Sequence, residues 1–174
     1  MPYSAAALQM LEDLGIPVNA VLDRNLQEFV EANTLECVEV EAHGREHLLT
    51  PLAAQAWRQL KASASAQGVA LHIVSAFRSV ERQVTIVKRK LDAGQSIEQI
   101  LAVSAPPFFS EHHTGCAIDI GAPGCPALER EFEQTQAFAW LTHNAQAFGF
   151  QMSYPQGNAS GYTYEPWHWK FVAG

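Results

Sequence analysis

Apolar residues recur at helical spacing after the dipeptide Thr50-Pro51. This dipeptide predicts a helix start, because a threonine hydroxyl can cap the first turn and the fixed φ of proline suits its first position. Apolar side chains then return every four residues from Leu52 to Ala64, and the pattern stops at Gly68. The spacing therefore predicts an amphipathic helix between Pro51 and Gly68.

Three later segments also carry helix signals. Valine and leucine residues at positions 80, 84, 87 and 91 form one apolar stripe that ends near Gly94. Residues 96–101 predict a short helix after that glycine, and residues 135–148 predict another that Gly149 closes. Two adjacent prolines predict a loop at 104–110.

Four segments have the apolar patterns of strands. Valines alternate with glutamates within 35–41, which predicts a half-buried strand. Further strands are predicted at 69–75, 116–120 and 167–172. Because these strands are interspersed with helices, the pattern favours an α+β fold whose antiparallel sheet carries the functional site.

The composition suits one compact domain. A chain of 174 residues has the usual size of a domain, and its 48% apolar content can supply one core. We expect residues 1–174 to form a single domain, with 1–34 as a helical or irregular extension packed on it. The net charge of −7 argues against nucleic acid or an anionic membrane surface as the main partner, since both attract basic surfaces.

Targeting and cysteine signals are weak. No segment is long and apolar enough to predict membrane insertion, and residues 1–21 lack the basic start and continuous apolar run of a signal peptide. Either the protein is cytoplasmic or a targeting segment precedes the printed sequence.

The three cysteines do not form a recognisable motif. Cys37, Cys116 and Cys125 are odd in number and have no paired spacing, so they predict neither a disulfide framework nor a cysteine-ligated zinc site.

Basic residues are concentrated at 78–90, which holds five of the eleven. Four of them are predicted to form a solvated helix face. These four are Arg82, Lys88, Arg89 and Lys90. Arg78 precedes that helix and is a separate candidate for a functional role.

The segment from Ser110 to Asp119 concentrates metal-binding chemistry. Histidine nitrogen and aspartate oxygen are both good zinc ligands. His112 and Asp119 would lie roughly 23 Å apart in an extended chain, so shared coordination requires the chain to fold back. Gly115 permits such a turn. On the strand that follows, Ala117 would share the face of Asp119 and leave space beside its carboxylate.

A second segment, Glu165-Pro166-Trp167-His168-Trp169, lies near the C-terminus. A residue before proline is driven to extended geometry, so Glu165 belongs to a bend and His168 to the strand after it. The two tryptophans are predicted on the opposite face from His168, as core or pocket-wall residues. A catalytic zinc keeps three protein ligands and one water, which Glu165 could reach from another direction. We therefore expect one zinc ion per chain, bound by His112, Asp119 and His168.

The remaining histidines are not predicted ligands. His113 is adjacent to a ligand but is expected to point elsewhere and at most to support the site. Cys116 is expected on the strand face opposite Asp119, packed away from the metal. The others, His43, His47, His72 and His143, are expected to be surface or hydrogen-bonded core residues.

The two segments resemble the signatures of the VanY-like D-alanyl-D-alanine carboxypeptidases. These are zinc peptidases in a group that includes lysostaphin-type enzymes and hedgehog domains. Ser75-Ala76-Phe77-Arg78-Ser79, with Gln83, resembles a third segment of this family. The resemblance implies that Glu165 is the general base and later the acid, and that Arg78 holds the substrate. Gln83, Ser110 and Trp167 are candidates for further substrate contacts.

The resemblance also implies a fold, a reaction and a location. The fold would be a central antiparallel sheet with flanking helices, and the reaction would be removal of the C-terminal D-alanine from peptidoglycan stem peptides ending in D-Ala-D-Ala. Such trimming normally takes place in the cell envelope.

Other functions stay open. They are an L,D-carboxypeptidase or a lysin-like endopeptidase of the same group, a non-catalytic zinc-binding module like the hedgehog domains, and a structural zinc domain. Glu165 and Arg78 favour the carboxypeptidase over a binding module, and structural zinc sites usually fill all four positions with cysteine or histidine.

Overall fold

The computed structural model of the chain describes residues 3–172. Over that range, helices and strands alternate in a mixed order. The helices are α1 (Ala5–Asp13), α2 (Asn19–Leu22), α3 (Pro51–Ala66), α4 (Val80–Asp92), α5 (Ile97–Val103) and α6 (Gln136–Asn144). The strands are β1 (Glu36–Val40), β2 (Glu46–Leu49), β3 (His72–Ser75), β4 (Ala117–Gly121), β5 (Phe150–Met152) and β6 (His168–Phe171).

The central sheet has four strands in the order β3-β4-β6-β5, and each neighbouring pair is antiparallel. A separate hairpin pairs β1 with β2. This arrangement confirms the predicted α+β fold with an antiparallel sheet. That residues 1–174 form one domain, with 1–34 as its extension, stays a prediction.

Several predicted elements differ in detail from the structure. Strands β2 and β5 were not predicted, and the predicted helix at 135–148 is α6 followed by a 3₁₀ turn, Ala145–Phe148. Thr50 stands at the start of α3, but its hydroxyl does not cap the helix and lies 3.5 Å from the sulfur of Cys116. The helix start therefore rests on Pro51, whose ring fixes φ at a helical value.

One face of the central sheet packs on α3 and α6. Ile118 and Ile120 of β4 and Trp169 of β6 project into this main cluster with Trp57 and Leu141 of the two helices. Burying each such side chain contributes roughly 1.5–3 kcal/mol, so this layer fixes the positions of the two middle strands. Their opposite face is left for polar residues.

A second apolar cluster joins the N-terminal segment to α4 and α5. Leu11 of α1 packs there with Val87 of α4 and Ile100 of α5. Two tyrosines from the loops before β6, Tyr154 and Tyr162, belong to the same cluster. The second cluster thus forms one wall of the space above the polar face of β4 and β6.

Among residues 3–172, the structure contains no helix with both the length and the apolar content needed to cross a membrane.

Candidate active site

His112, Asp119 and His168 meet on the polar face of the central sheet. Nε2 of His112 lies 3.3 Å from Oδ2 of Asp119, and Nδ1 of His168 lies 3.0 Å from Oδ1 of the same carboxylate. The three residues are 5%, 4% and 3% exposed. They are the one group of this kind that the described part of the chain, residues 3–172, brings together.

Sheet register explains why two of these residues are neighbours. Asp119 of β4 stands directly opposite His168 of β6 in the antiparallel pair. Directly opposed side chains on one face lie about 5 Å apart at Cβ, which brings the carboxylate and the imidazole into contact. His168 enters β6 from a turn in which its backbone N–H donates to the carbonyl of Glu165. Pro166 occupies the second position of that turn, where its fixed φ is favoured.

His112 reaches the site from a 3₁₀ turn, Glu111–Thr114, that precedes β4. Gly115 ends this turn with φ of 63°, in the left-handed region. A Cβ at this glycine would lie 2.8 Å from the side chain of Leu35 and 3.3 Å from that of Ala32. The predicted reversal at Gly115 is therefore confirmed, and the N-terminal segment packs directly against it.

The hydrogen bonds of the two histidines fix which nitrogen faces the site. Nδ1 of His112 is 2.8 Å from the carbonyl oxygen of Ala76, to which it donates, so Nε2 is left as an acceptor. Nε2 of His168 is 2.9 Å from Oε2 of Glu111, so Nδ1 is the nitrogen that faces Asp119 and His112. Such outer hydrogen bonds set the tautomer and the ring orientation of metal-ligating histidines.

This donor set fits a zinc ion. Tetrahedral zinc with bonds of about 2.0–2.2 Å places neighbouring ligand atoms roughly 3.3–3.5 Å apart. Oδ2 of Asp119 lies 3.3 Å from His112 and Oδ1 lies 3.0 Å from His168, and one ligand atom from each of the three residues lies within 4.8 Å of the other two. Two imidazoles and one carboxylate are also the ligand types of catalytic zinc sites, which keep a fourth position open.

The charges of the protein's own groups are strongly coupled here. Burial acts against the charged form of Asp119, but the two neighbouring imidazoles hold its pKa below the usual range. Burial lowers the pKa of His112. It acts in the same direction on His168, yet hydrogen bonds to Asp119 and Glu111 raise the pKa of His168 to about 10. The site is therefore built around the carboxylate of Asp119, which stays ionised.

Glu165 stands beside this group without belonging to it. Its Oε2 is 3.8 Å from Nδ1 of His168, beyond hydrogen-bond range, and its backbone N–H donates to the carbonyl of Tyr154. Burial raises the pKa of Glu165 to about 7, and the negative charges of Asp119 and Glu111 act in the same direction. A carboxylate with a pKa near neutrality is suited to accept and return a proton.

Arg78 lies at the end of β3, where the chain turns into α4. Its guanidinium donates to Oε1 of Gln83 at 2.9 Å and to the hydroxyl of Ser75 at 3.0 Å. Gln83 is buried, and its amide nitrogen donates to the carbonyl of Ala105. Gln83 thus holds Arg78 in place, and it is not among the residues that line the pocket.

A pocket of about 390 Å³ opens above the three candidate ligands. Arg78, Ser110, Glu165 and Trp167 line it, so four predicted site residues share one cavity. Trp167 lies in the turn before β6 and is half-buried, whereas Trp169 is buried in the main cluster. The other lining residues are Ile86, Arg89, Lys90, Val103, Ser104, Ala105, Leu128, Tyr154, Tyr162 and Thr163.

One family model matches most of the chain. The family model VanY, described as D-alanyl-D-alanine carboxypeptidase, matches residues 46–174, which is more than half of the chain. The chain belongs to the VanY family. The match includes every predicted site residue, from Arg78 to His168.

Relatives in sequence and structure agree with this assignment. The putative carboxypeptidase YodJ of Bacillus subtilis (strain 168) is 34% identical over 123 residues, which are 69% of this chain and 45% of the relative. The chain therefore spans less than half the length of that relative.

Two solved structures are also similar. The LD-carboxypeptidase LdcB has a TM-score of 0.72 and 31% identity, with 82% of this chain and 69% of that chain covered. A mutant of the vancomycin-resistance D,D-pentapeptidase VanY, in complex with Zn(II), has a TM-score of 0.62 and 29% identity over 84% of this chain and 81% of that chain. The fold of the chain is that of VanY-family peptidases.

Sequence reasoning missed two residues that contact this VanY-family site. The Glu111 carboxylate bonds His168 at 2.9 Å, Ser153 at 2.6 Å and Lys170 at 3.2 Å. Burial acts to raise the pKa of Glu111, but these partners, His168 above all, hold it at about 2. Tyr154 packs its ring 4.6 Å from that of His168. Only the position of Glu111 beside a predicted ligand could have indicated its role.

His113 and the cysteines lie outside the group of candidate ligands. Nδ1 of His113 is 2.6 Å from the carbonyl oxygen of Arg78, so this histidine fixes the backbone that carries the arginine. Cys116 is half-buried against the main cluster, and none of Cys37, Cys116 and Cys125 forms a disulfide in residues 3–172. The positions of His113 and Cys116 agree with the predictions.

The predicted solvated helix face is correct for Arg82, Lys88 and Arg89, which are exposed. It is wrong for Lys90, which is partly buried and lines the pocket with Arg89. The stripe of buried positions on α4, including Gln83 and Val87, turns Lys90 toward the pocket as well.

Proposed function

We propose that this chain is a zinc-dependent carboxypeptidase that removes the terminal D-alanine from peptidoglycan stem peptides ending in D-Ala-D-Ala. One observation carries the proposal. A buried His-Asp-His group with its metal-facing nitrogens fixed opens into a pocket that also holds Glu165 and Arg78. Membership of the VanY family and the likeness to a VanY structure with Zn(II) support it.

His112, Asp119 and His168 would hold one zinc ion per chain. When bound, zinc polarises a carbonyl oxygen and lowers the pKa of a coordinated water to about 7. The remaining steps belong to the protein's own residues. Glu165 accepts a proton from the attacking water and returns it to the amine that leaves.

Arg78 would give the enzyme its preference for chain ends. A carboxypeptidase must recognise a free carboxylate, and a guanidinium can donate two parallel hydrogen bonds to it. Gln83 and Ser75 hold this guanidinium, and His113 holds the backbone of Arg78. Little side-chain entropy is therefore lost on binding. The Ser110 hydroxyl and the Trp167 ring would complete the contacts with the terminal residue.

A second candidate is an L,D-carboxypeptidase, which removes D-alanine from a tetrapeptide. The similarity to LdcB favours it, because the TM-score and the identity are both higher than for VanY. Purified protein incubated with pentapeptide and tetrapeptide, followed by mass spectrometry, separates the two. Loss of one D-alanine from the pentapeptide supports the first candidate, and loss from the tetrapeptide alone supports the second.

The Arg78→Lys variant is expected to lower kcat/KM on a D-Ala-D-Ala peptide by about 10-fold to 100-fold, because losing a charged hydrogen bond costs roughly 1.5–3 kcal/mol. Amidation of the substrate's C-terminus should suppress cleavage by the unmodified protein. Steady-state kinetics on both peptides measure this, with zinc content unchanged and Arg82→Lys as the control at an exposed position. Equal cleavage of acid and amide, or internal fragments, would instead identify an endopeptidase.

Glu111→Ala is expected to weaken zinc binding by about 10-fold to 100-fold, the usual effect of removing a carboxylate that orients a ligating histidine. Glu111→Gln should lose less, because its carbonyl oxygen can still accept the hydrogen bond from His168. Competition with a chromophoric chelator measures the affinity without any turnover, and Glu131→Ala, at an exposed position, is the control. Unchanged affinity in Glu111→Ala would show that Tyr154 and Asp119 alone orient His168.

A further inference from the structure

The pocket holds more positive charge than its candidate chemistry uses. Besides Arg78, it is lined by Arg89 and Lys90 from the last turn of α4. Arg89 is exposed, whereas Lys90 is partly buried and its ammonium donates to the hydroxyl of Ser104 at 2.6 Å. Within residues 3–172, no carboxylate forms a salt bridge with any of these three cations.

In a protein with 18 acidic and 11 basic residues, four basic side chains have a carboxylate within 4.0 Å in residues 3–172. Others, such as Arg82 and Lys88, are exposed to solvent, whereas Lys90 is partly buried. Arg58, Lys61 and Lys170 each have a carboxylate partner within 3.2 Å. At the pocket, by contrast, burial and the charges of Arg89 and Arg78 lower the pKa of Lys90. An anion bound there would relieve this repulsion, which in a partly desolvated pocket is stronger than in water.

Two carboxylates also line the pocket, but in residues 3–172 they form no salt bridge with Arg89 or Lys90. Asp119 and Glu165 lie at the candidate metal group, and the two positive charges of a zinc ion would offset theirs. The terminal carboxylate of a bound peptide would then neutralise one of the three cations, with Arg78 as its partner. Arg89 and Lys90 still lack a counter-ion.

Helix geometry separates this second cationic position from Arg78. Gln83, which bonds Arg78, and Lys90 are seven residues apart on α4, or about 10 Å along the helix axis. An extended peptide covers that distance in about three residues. A group bound at Lys90 therefore belongs to a part of the ligand other than the terminal carboxylate.

We propose that Lys90 and Arg89, with the Ser104 hydroxyl, form a second anion site that binds a free carboxylate borne by a residue preceding the terminal pair of the substrate. This inference rests on the proposed carboxypeptidase function. It assigns the substrate class as peptides with two free carboxylates, and it makes an amide or an ammonium at the inner position unfavourable.

Cations in the last turn of a helix also stabilise its negative end, which accounts for basic residues at the end of α4 in general. That effect is confined to the last turn, which carries Arg89 and Lys90. It gives no reason for Lys90 to be partly buried while Arg89 is exposed.

Three synthetic peptides ending in D-Ala-D-Ala test the proposal. Their preceding residue carries a side-chain carboxylate, the corresponding amide or an ammonium group. The unmodified protein is expected to show kcat/KM about 10-fold higher for the carboxylate than for the amide, the lower end of the range for a charged hydrogen bond. Lys90→Gln should bring this ratio close to one, whereas Lys90→Arg and the exposed control Lys88→Gln should keep it.

Binding of the same peptides to the Glu165→Gln variant, measured by calorimetry, separates this proposal from the proposed function. Preferential binding of the carboxylate peptide without hydrolysis by the unmodified protein would support the anion site and overturn the carboxypeptidase. Hydrolysis of all three peptides at equal kcat/KM would overturn the anion site and leave the carboxypeptidase intact. A preference that survives in Lys90→Gln would also overturn the assignment to Lys90.

Discussion

Glu165→Gln is expected to give a folded protein that binds zinc and has lost about 10²–10⁴ in kcat, the usual contribution of general acid–base catalysis. Glutamine keeps the shape of the side chain but cannot accept the proton. Burial raises the pKa of this carboxylate to about 7, which suits it to accept and return a proton near neutral pH. Steady-state kinetics with elemental analysis of the same preparation measure both properties.

A matched control for this variant is Glu133→Gln, an exposed acid on the segment before α6. It should leave turnover and zinc content as in the unmodified protein. If Glu165→Gln keeps near-normal turnover, another group is the base. If it loses zinc together with activity, Glu165 contributes to the metal site itself.

His168→Ala is expected to reduce zinc from one ion per chain to a small residual fraction, and activity with it. Two protein ligands remain after the substitution, and zinc sites with so few are weak. The control is His143→Ala, because that side chain is exposed and hydrogen-bonds the carbonyl of Ala139 in its own helix. Elemental analysis after mild purification measures the content. Full retention of zinc in His168→Ala would exclude this histidine as a ligand.

Zinc affinity should also decrease as the pH is lowered. The imidazoles must be neutral to bind the metal, so affinity falls as the pH is lowered and protons compete for the nitrogens. The protein's own carboxylates raise the pKa of His168 to about 10, so binding at neutral pH releases a proton from this residue. Measuring zinc affinity by competition between pH 5 and 8 in the unmodified protein follows this effect.

The central features of the candidate site could be predicted because they are local in sequence. His112, Gly115 and Asp119 lie within eight residues, and a reversal of the chain between two ligands leaves few possible geometries. Glu165 and His168 flank one proline, whose effect on the backbone is strong. Asp119 pairs with His168 because β4 and β6 are neighbours in the sheet, and the periodicity of the sequence does not predict that strand order.

The residues that were missed depend on tertiary contacts. Glu111 bonds His168 across 57 positions of sequence, and Tyr154 reaches the same ring from a loop. Lys90 follows the buried Val87 by three residues, but its partial burial also depends on its contact with Ser104, which the local pattern does not show. Strands β2 and β5, of four and three residues, were too short to produce a clear alternation.

The N-terminal segment packs on the turn that carries His112. Phe29 and Ala32 donate backbone hydrogen bonds to the carbonyls of Phe108 and His113, and Leu35 fills the space against Gly115. These residues precede position 46, where the family match starts. Trimming the chain to the matched region would remove the residues that pack on the turn carrying His112. The structural unit that positions the candidate ligands is therefore larger than the region matched by the family model, because residues before position 46 pack on the turn that carries His112.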